Sequence, residues 1–168
     1  MKLSAAIVLA LSAFLVGCGY HAGEIRPTPM RSVRTLAVPT FKNKTFEVRI
    51  ESLFADTLVK RLQSDGTYEI VSMDKADAIL YCTITLIDRR SLRSVQNDVL
   101  ATSEFGLRVT GQYEVHDRVT GAILMSGNAQ GKATFFSGND LQTIERQAIS
   151  DASADMAANI CAAVAEGW

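Results

Sequence analysis

The chain has 168 residues and a formal net charge of −1, with 17 Lys and Arg against 18 Asp and Glu. This length suits one domain that buries an ordinary hydrophobic core. The balanced charge excludes the basic footprint of a nucleic-acid-binding protein, so we expect no nucleic acid among its partners.

The first eighteen residues have the pattern of an export signal. Lys2 precedes an apolar stretch that ends at Val16 and is too short to span a bilayer stably. A glycine and Cys18 follow, so the segment resembles a bacterial lipoprotein signal, which implies cleavage before Cys18 and lipidation of that residue. An ordinary cleavage site with an incidental cysteine is the alternative. We predict a signal peptide at residues 1–17, a lipidated linker at 18–33 and a folded domain at 34–168.

The lipid on Cys18 is the expected attachment to a membrane. Several acyl chains on one residue anchor a protein stably, since each buried CH2 adds about 0.8 kcal/mol. Residue 19 is Gly rather than Asp. By resemblance to proteobacterial lipoproteins, this absence of an inner-membrane retention residue favours the periplasmic side of the outer membrane.

The first predicted elements of the domain are a strand and a helix. A short strand is expected at residues 35–41, with Pro39 at its end or on a sheet edge. Thr45 is the expected N-cap of a helix that continues to about Ser64, and Gly66 just after it predicts a left-handed end. Apolar residues recur at three- and four-residue steps, which predicts one buried helical stripe. Its members are Ile50, Leu53, Phe54, Leu58 and Leu62.

Four further elements are predicted as strands. A short strand at residues 68–71 is followed by a polar turn at 74–77. The strand that follows alternates polar and apolar residues and should bury Leu80, Cys82, Ile84 and Leu86. Sharper alternation over residues 104–116 and 123–135 predicts a hairpin closed by the turn at 117–121. The inward residues of these two strands are Phe105, Leu107, Val109, Tyr113, Val115, Ile123, Met125, Ala129, Ala133 and Phe135.

A long helix is predicted from about Asp140 to Ala165. Its expected buried stripe is Leu141, Ile144, Ala148, Ala152, Met156 and Ile160. Small residues at 127, 129, 131 and 133 indicate that a helix lies close against the preceding strand. The element order predicts an α+β fold: a two-layer α/β sandwich with a four- to five-stranded, mostly antiparallel or mixed sheet and two helices on one face.

Two helices can cover only one face of this sheet, so the other face should be open. Its expected members include a set that could contact a partner: Arg108, Thr110, Gln112, Glu114, Asn128 and Gln130. An ordinary solvated sheet face is one interpretation, because antiparallel sheets commonly have one. A docking surface for something polar, such as the lumen of an outer-membrane β-barrel, is the other.

The start of the mature chain resembles the LptE family of lipopolysaccharide-assembly lipoproteins. The resemblance is carried by Cys18-Gly19-Tyr20-His21 and by the spacing of Pro39, Phe41, Asn43 and Thr45. The later order of long hairpin, Phe135-Phe136 and final helix agrees with it. The family implies an LptE-like α/β domain that plugs the LptD β-barrel of the outer membrane, and that assists transport and insertion of lipopolysaccharide into the outer leaflet.

The family also implies contact between basic side chains and lipopolysaccharide. In its members these side chains lie near the start of the long hairpin and before the last helix, but residues 95–99 and 137–140 contain none. The nearest candidates are Arg89, Arg90, Arg93 and Lys132. Arg would suit lipid A phosphates because its planar fork binds phosphate bidentately. The alternative is a solvated charge cluster that keeps a strand edge soluble.

No motif for catalysis or metal binding stands out in the sequence. The only histidines, His21 and His116, have no metal-ligand spacing, and no phosphate loop or nucleophile elbow is present. We therefore expect no enzyme activity, no cofactor and no metal. Cys82 and Cys161 could form a disulfide or be buried thiols. The alternative function is activation of a peptidoglycan synthase, but the short linker at 18–33 favours work close to the outer membrane.

Overall fold

Three long strands between residues 78 and 136 form the centre of the structure. The structure is a computed structural model that describes residues 26–93, 104–136, 138 and 140–167. Its helices and strands are β1 (Thr35–Ala37), β2 (Lys42–Asn43), α1 (Glu51–Asp65), β3 (Glu69–Ile70), β4 (Ala78–Arg93), β5 (Glu104–Asp117), β6 (Ile123–Phe136) and α2 (Leu141–Glu166). The predicted signal peptide and Cys18 lie outside the described residues.

The sheet has six strands in the order β3-β1-β4-β5-β6, with β2 also paired to β4. β4, β5 and β6 are antiparallel, whereas β1 pairs in parallel with β3 and β4, and β2 pairs in parallel with β4. Parallel β1 and β3 require a crossover, which α1 provides. The α+β two-layer fold is thus confirmed. The sheet has one strand more than predicted because the segment around Pro39 forms two short strands instead of one.

Both helices pack on one face of the sheet around a single core. The predicted stripe of α1 is buried at Ile50, Phe54, Leu58 and Leu62, and α1 ends at Gly66 with a φ of 78°. Helix α2 buries the predicted stripe from Ala148 onward, at Ala148, Ala152, Met156 and Ile160. The core also includes Met30 and Val33, so the end of the predicted linker packs into the domain.

Small residues in β6 allow α2 to approach the sheet closely, as predicted. A Cβ added at Gly131 would lie 1.9 Å from the carbonyl oxygen of Ala152 and 2.8 Å from Cβ of Met156. Only a residue without a side chain fits this contact, because packed interiors leave no spare volume. Gly131 therefore sets how near the helix layer lies to β6.

Two predicted core residues are exposed because the register of the sheet shifts. The β4–β5 pairing skips one residue between Ile84 and Leu86, and such a bulge reverses which side chains face the core. Leu86 is consequently 55% exposed, while Ile87 packs against the core. A second shift, between Val115 and His116 of β5, aligns Ile123 with His116 and leaves Ile123 57% exposed.

The predictions for the starts of both helices need correction. Helix α1 begins at Glu51 without a side-chain cap, so Thr45 is not its N-cap. The side chain of Asn43 instead accepts hydrogen bonds from the backbone N–H and the hydroxyl of Thr45, at 2.9 and 2.7 Å, which closes a local turn. Helix α2 is capped by Asp140, whose side chain accepts from the N–H of Thr143, and Leu141 in its first turn is exposed.

Cys82 and Cys161 are both buried free thiols. Burial raises the pKa of Cys82 to about 12, and burial is also the main cause that raises the pKa of Cys161. Both groups are therefore neutral at physiological pH and act as small apolar core residues.

Candidate functional site

The face of the sheet opposite the helices, here called the open face, carries the predicted partner-facing residues. Residues that pair across antiparallel strands point to the same side, so the register defines successive rows across β4, β5 and β6. These rows are Tyr81–Glu114–Ser126, Thr83–Gln112–Asn128, Leu86–Thr110–Gln130, Asp88–Arg108–Lys132 and Arg90–Gly106–Thr134. All six predicted residues of β5 and β6 lie on this face, and all except the half-buried Thr110 are exposed.

The open face is polar near the turn that joins β5 and β6. A cavity of about 570 Å³ lies there, between β2 and the start of β4. The His116 ring contacts Tyr81 edge to face, with centroids 5.3 Å apart, and its Nε2 lies 2.9 Å from Oε2 of Glu114. These groups provide donors and acceptors for a polar partner.

The far end of the open face, where β4 ends and β5 begins, combines basic and apolar side chains. A small cavity of about 160 Å³ lies there. The side chains of its lining are Asp88, Arg90, Leu92, Leu107, Arg108, Lys132, Ala133 and Thr134, together with Gly106. Three of these groups are cations and one is a carboxylate, so the cavity carries net positive charge. A phosphate joined to an apolar group is the chemistry that suits it best.

The apolar part of this cavity was not predicted. Leu92 is more than half exposed and lies over Gly106, where an added Cβ would be 3.2 Å from its side chain. The sequence contains one signal that could have suggested this contact, since a glycine inside a strand often marks a close approach by another group. Leu92 itself gives no such signal, because an apolar residue is common in a strand.

The structure separates Arg89 from Arg90. Adjacent strand residues point to opposite faces, and Arg89 lies on the helix side of β4. Its Nη2 donates to Oε2 of Glu47 at 2.7 Å, and its Nε donates to Glu145 near the start of α2. Burial alone would lower the pKa of Arg89, but hydrogen bonds to these two carboxylates raise it. Arg89 thus ties β4 to the loop before α1 and to α2.

Of the four predicted lipopolysaccharide contacts, Arg90 and Lys132 are brought together. Arg90 is 67% exposed at its side chain and pairs with Asp88. Lys132 is anchored through its backbone N–H, which donates to Oδ2 of Asp155 at 2.9 Å. Arg93 is the last residue of β4. Arg108 lies between Asp88 and Lys132 in its row and joins the cluster, although it was predicted only as partner-facing.

Two kinds of feature are absent from the described residues. Residues 26–93, 104–136 and 140–167 contain no group of three or more His, Cys, Asp or Glu that could hold a metal ion. Within the same ranges, neither helix is long and apolar enough to cross a membrane.

Comparison with known proteins gives a family match. A model of the LptE family, described as lipopolysaccharide-assembly, matches residues 33–164, which span the sheet, all of α1 and most of α2. No curated protein matches the chain.

Solved structures share the fold. A candidate lipoprotein of Caulobacter crescentus has a TM-score of 0.50 at 19% identity, over 74% of this chain and 87% of its own. A minor lipoprotein of Acinetobacter baumannii has a TM-score of 0.51 at 13% identity, over 79% and 90%. A candidate homologue of the neuraminyllactose-binding hemagglutinin, from Helicobacter pylori, has a TM-score of 0.54 at 12% identity, over 84% and 89%. At these identities the likeness concerns the fold alone.

Proposed function

The chain belongs to the lipopolysaccharide-assembly family LptE, and from that membership we propose that it is an outer-membrane lipoprotein that plugs the LptD β-barrel. In this role it assists transport of lipopolysaccharide and its insertion into the outer leaflet. The signal peptide at residues 1–17 is removed, and Cys18 carries the lipid that anchors the domain on the periplasmic side. The protein works as a structural partner and performs no reaction of its own.

The open face is the observation that carries the plug proposal. Its central rows present Thr83, Gln112 and Asn128, then Thr110 and Gln130, as side chains that both donate and accept hydrogen bonds. The lumen of an outer-membrane barrel is polar, so these groups exchange water for barrel side chains without leaving buried polar atoms unpaired. A lipid at Cys18 keeps the domain close to the membrane in which the barrel lies.

Replacing two side chains of one central row tests this surface. We expect Gln112→Asp with Asn128→Asp to abolish co-purification with the barrel, because two carboxylates have no donors and repel each other at the centre of the contact. Both positions are exposed, so the thermal unfolding of the domain should change little. Barrel association that survives the double variant would place the contact on another surface.

The cluster of Arg90, Arg108 and Lys132 is the proposed contact for lipopolysaccharide. Its three cations suit the phosphates of lipid A, because charge-assisted hydrogen bonds to phosphate are among the stronger polar contacts in proteins. Leu92 beside them offers apolar surface for the start of an acyl chain. Arg89 is held by Glu47 and Glu145 on the other side of β4, so we assign it to structure and the other cations to binding.

Charge reversal at this cluster tests the assignment. We expect Arg90→Asp with Lys132→Asp to weaken lipopolysaccharide binding at least roughly tenfold, since two attractive contacts become repulsive. Lys60→Asp with Lys75→Asp makes the same change in net charge at exposed positions away from the open face. If both double variants lose affinity equally, binding depends on net charge rather than on the cluster.

A further inference from the structure

The loop between β2 and α1 exposes two large apolar side chains to water. It comprises residues 44–49 and is here called the Phe46 loop. Phe46 is fully exposed, and Val48 is 74% exposed. Exposure of an aromatic ring to water is unfavourable, so an exposed Phe beside an exposed Val indicates a surface that another molecule covers.

Hydrogen bonds hold the inner side of this loop to the domain. Even-numbered residues from Lys42 to Val48 are exposed, and the odd-numbered residues between them are half-buried. Asn43 Nδ2 donates to the carbonyl oxygen of Glu47 at 2.6 Å, while Asn43 Oδ1 accepts from the N–H and the hydroxyl of Thr45. The carboxylate of Glu47 accepts from Arg89 at 2.7 Å. The exposed side chains are therefore presented by a fixed backbone.

The residues that carry the family resemblance build this loop. Phe41 before it and Ile50 after it are each 4% exposed, so both ends are fixed in the core. Asn43 and Thr45 make the turn between them. The spacing of Phe41, Asn43 and Thr45 thus holds Phe46 in water. A side chain fixed in this way loses little conformational entropy when it binds a partner.

Backbone strain at the end of the loop is a second, independent observation. Arg49 has a φ of 64°, and among the described residues it is the one residue other than glycine with a positive φ. This left-handed conformation costs free energy in a residue with a side chain, and such residues cluster at functional sites. Arg49 itself is exposed, so the strained turn places a cation beside Val48.

The charges around Phe46 and Val48 are mainly positive. A cavity of about 860 Å³ lies beside the loop, and Val48 and Arg49 form part of its lining. Residues 42–51 and this cavity together contain five cations: Lys42, Lys44, Arg49, Arg89 and Arg146. They contain three carboxylates, each hydrogen-bonded within the domain: Glu47, Glu51 and Glu145. The region therefore suits an anionic partner, although the whole chain has a net charge of −1.

We propose that the Phe46 loop inserts Phe46 and Val48 into the surface of an anionic phospholipid membrane. The two apolar side chains enter the boundary between headgroups and acyl chains, and Lys44 and Arg49 on either side bind lipid phosphates. The strength of such a contact depends on the apolar area buried and on the attraction of cations to anionic lipids. The occupant of the loop is the leaflet that holds the anchor at Cys18.

The tether to Cys18 is long enough for this contact. Tyr68 follows the end of α1, and Arg26 lies over its ring, with the guanidinium carbon 5.5 Å from the ring centroid. Helix α1 has 15 residues and is about 22 Å long, which sets the approximate separation of Phe46 from Arg26. The segment 18–25 spans at most about 28 Å. The lipid and Phe46 can therefore lie in one leaflet, and because the anchor keeps the chain at the surface, a weak contact is sufficient.

The inference goes beyond the proposed function, because neither the barrel nor lipopolysaccharide takes part. The contact holds the free lipoprotein against its leaflet in a fixed orientation before the barrel is met. It rests on the proposed anchor at Cys18, and flotation of the chain with vesicles tests that anchor separately from the loop. A chain that floats through its lipid without inserting Phe46 would refute the inference and leave the proposed function intact.

A tryptophan at position 46 reports the insertion. The full lipidated chain with Phe46→Trp and Trp168→Phe contains a single tryptophan and is reconstituted in vesicles of phosphatidylethanolamine and phosphatidylglycerol. Phospholipids with brominated acyl chains should quench its fluorescence at least about twofold, with a shift of the emission to shorter wavelength. Phe136→Trp with Trp168→Phe is the matched control, because Phe136 is 55% exposed on β6, two strands from β4. Its tryptophan should be quenched little.

Charge reversal in the Phe46→Trp chain tests the cations of the loop. Lys44→Glu with Arg49→Glu should reduce the quenching to the level of the Phe136→Trp control, because attraction to the anionic lipid becomes repulsion. Replacing phosphatidylglycerol by neutral phosphatidylcholine should have the same effect. Lys60→Glu with Lys75→Glu makes the same change in net charge at exposed positions outside the loop, and it should leave the quenching unchanged. Circular dichroism shows whether each variant is folded.

Four results would overturn the inference. One is a Phe46→Trp chain that floats with the vesicles but is quenched no more than the Phe136→Trp control. A second is quenching that is equal in anionic and neutral vesicles and in both charge variants. A third is a tryptophan at position 46 that is shielded from water only in complex with the barrel, which would assign the loop to a protein contact. A chain that does not float at all would overturn both the anchor and the inference.

Discussion

Gly131→Ala is expected to weaken the contact between α2 and the sheet. The added methyl group would lie 1.9 Å from the backbone oxygen of Ala152 and 2.8 Å from Cβ of Met156. Neither atom can be moved by rotating a side chain, so the backbone of α2 must shift outward along this contact. The shift separates the buried stripe of α2 from β6. Dispersion attraction between them then weakens, because it depends on close contact of the packed atoms.

The cost follows from the size of this overlap. Overpacking a core by one methyl group typically costs about 1–3 kcal/mol, and a clash with backbone belongs at the upper end. Replacing Gly in a strand recovers roughly 0.5 kcal/mol of conformational entropy, so we expect a net loss of about 2–2.5 kcal/mol. Against a total stability of about 5–15 kcal/mol this is a large fraction.

Urea denaturation measures this loss as a lower midpoint at unchanged slope. Gly106→Ala is the matched control, because its new methyl group meets only the side chain of Leu92, at 3.2–3.3 Å on the open face. That side chain can rotate away, so the control should stay within about 0.5 kcal/mol of the wild type. If Gly131→Ala is as stable as Gly106→Ala, the account of helix packing on β6 is wrong.

Three further predictions concern the fold and its anchor. Asp77 accepts hydrogen bonds from the backbone N–H groups of Thr35 and Arg34, both at 2.9 Å, and these bonds lower its pKa. Asp77→Asn should therefore lower the unfolding free energy by about 1 kcal/mol at pH 7. Because the pKa of Asp77 is lower in the folded than in the unfolded chain, the difference in stability between wild type and variant should shrink as the pH falls below about 4. A stability difference that is constant from pH 7 to pH 3 would refute this prediction. Arg89→Met removes two partly exposed ion pairs. It should lower the free energy of unfolding by about 1 kcal/mol or less at low salt, and by still less in about 1 M NaCl. A loss of stability that salt does not change would mean that the ion pairs are not its cause. Cys18→Ser should abolish the lipid mass in mass spectrometry of the mature protein and still give one cooperative unfolding transition, and loss of that transition would show that folding needs the anchor.

The layer architecture could be predicted because it depends on local periodicity. The stripe of α1 and the alternation of β5 follow directly from the spacing of apolar residues, and both are buried as expected. The close approach of α2 was predicted from the small residues of β6, which include Gly131. In each case the signal lies within a single element, so no knowledge of its neighbours is needed.

Register could not be predicted, because it depends on two strands at once. Alternation from Leu80 through Ile84 continues in the sequence to Leu86, yet the bulge between Ile84 and Leu86 reverses the faces from there on. The same cause exposes Ile123, opposite His116. Nothing in either strand alone marks these shifts, since the sequence around them is typical of regular strand.

The candidate site was predicted only in part, because its make-up also depends on how neighbouring strands pair. The polar residues of the open face were identified from the alternation of β5 and β6. Arg89 and Arg90 are both candidates from the sequence because they lie near the start of the long hairpin, although adjacent residues of a strand point to opposite faces. Leu92 became part of the site only through its position over Gly106, which depends on the hairpin as a whole.

Affinity purification from solubilised outer membranes tests the central claim most directly. A tagged full-length chain, expressed at its native level, is extracted in mild detergent, and the proteins bound to it are identified and quantified. The plug proposal predicts one large β-barrel in equal amount with the chain, and its loss in the Gln112→Asp and Asn128→Asp double variant. A chain that purifies without any barrel, or with a peptidoglycan synthase in its place, would contradict the proposal.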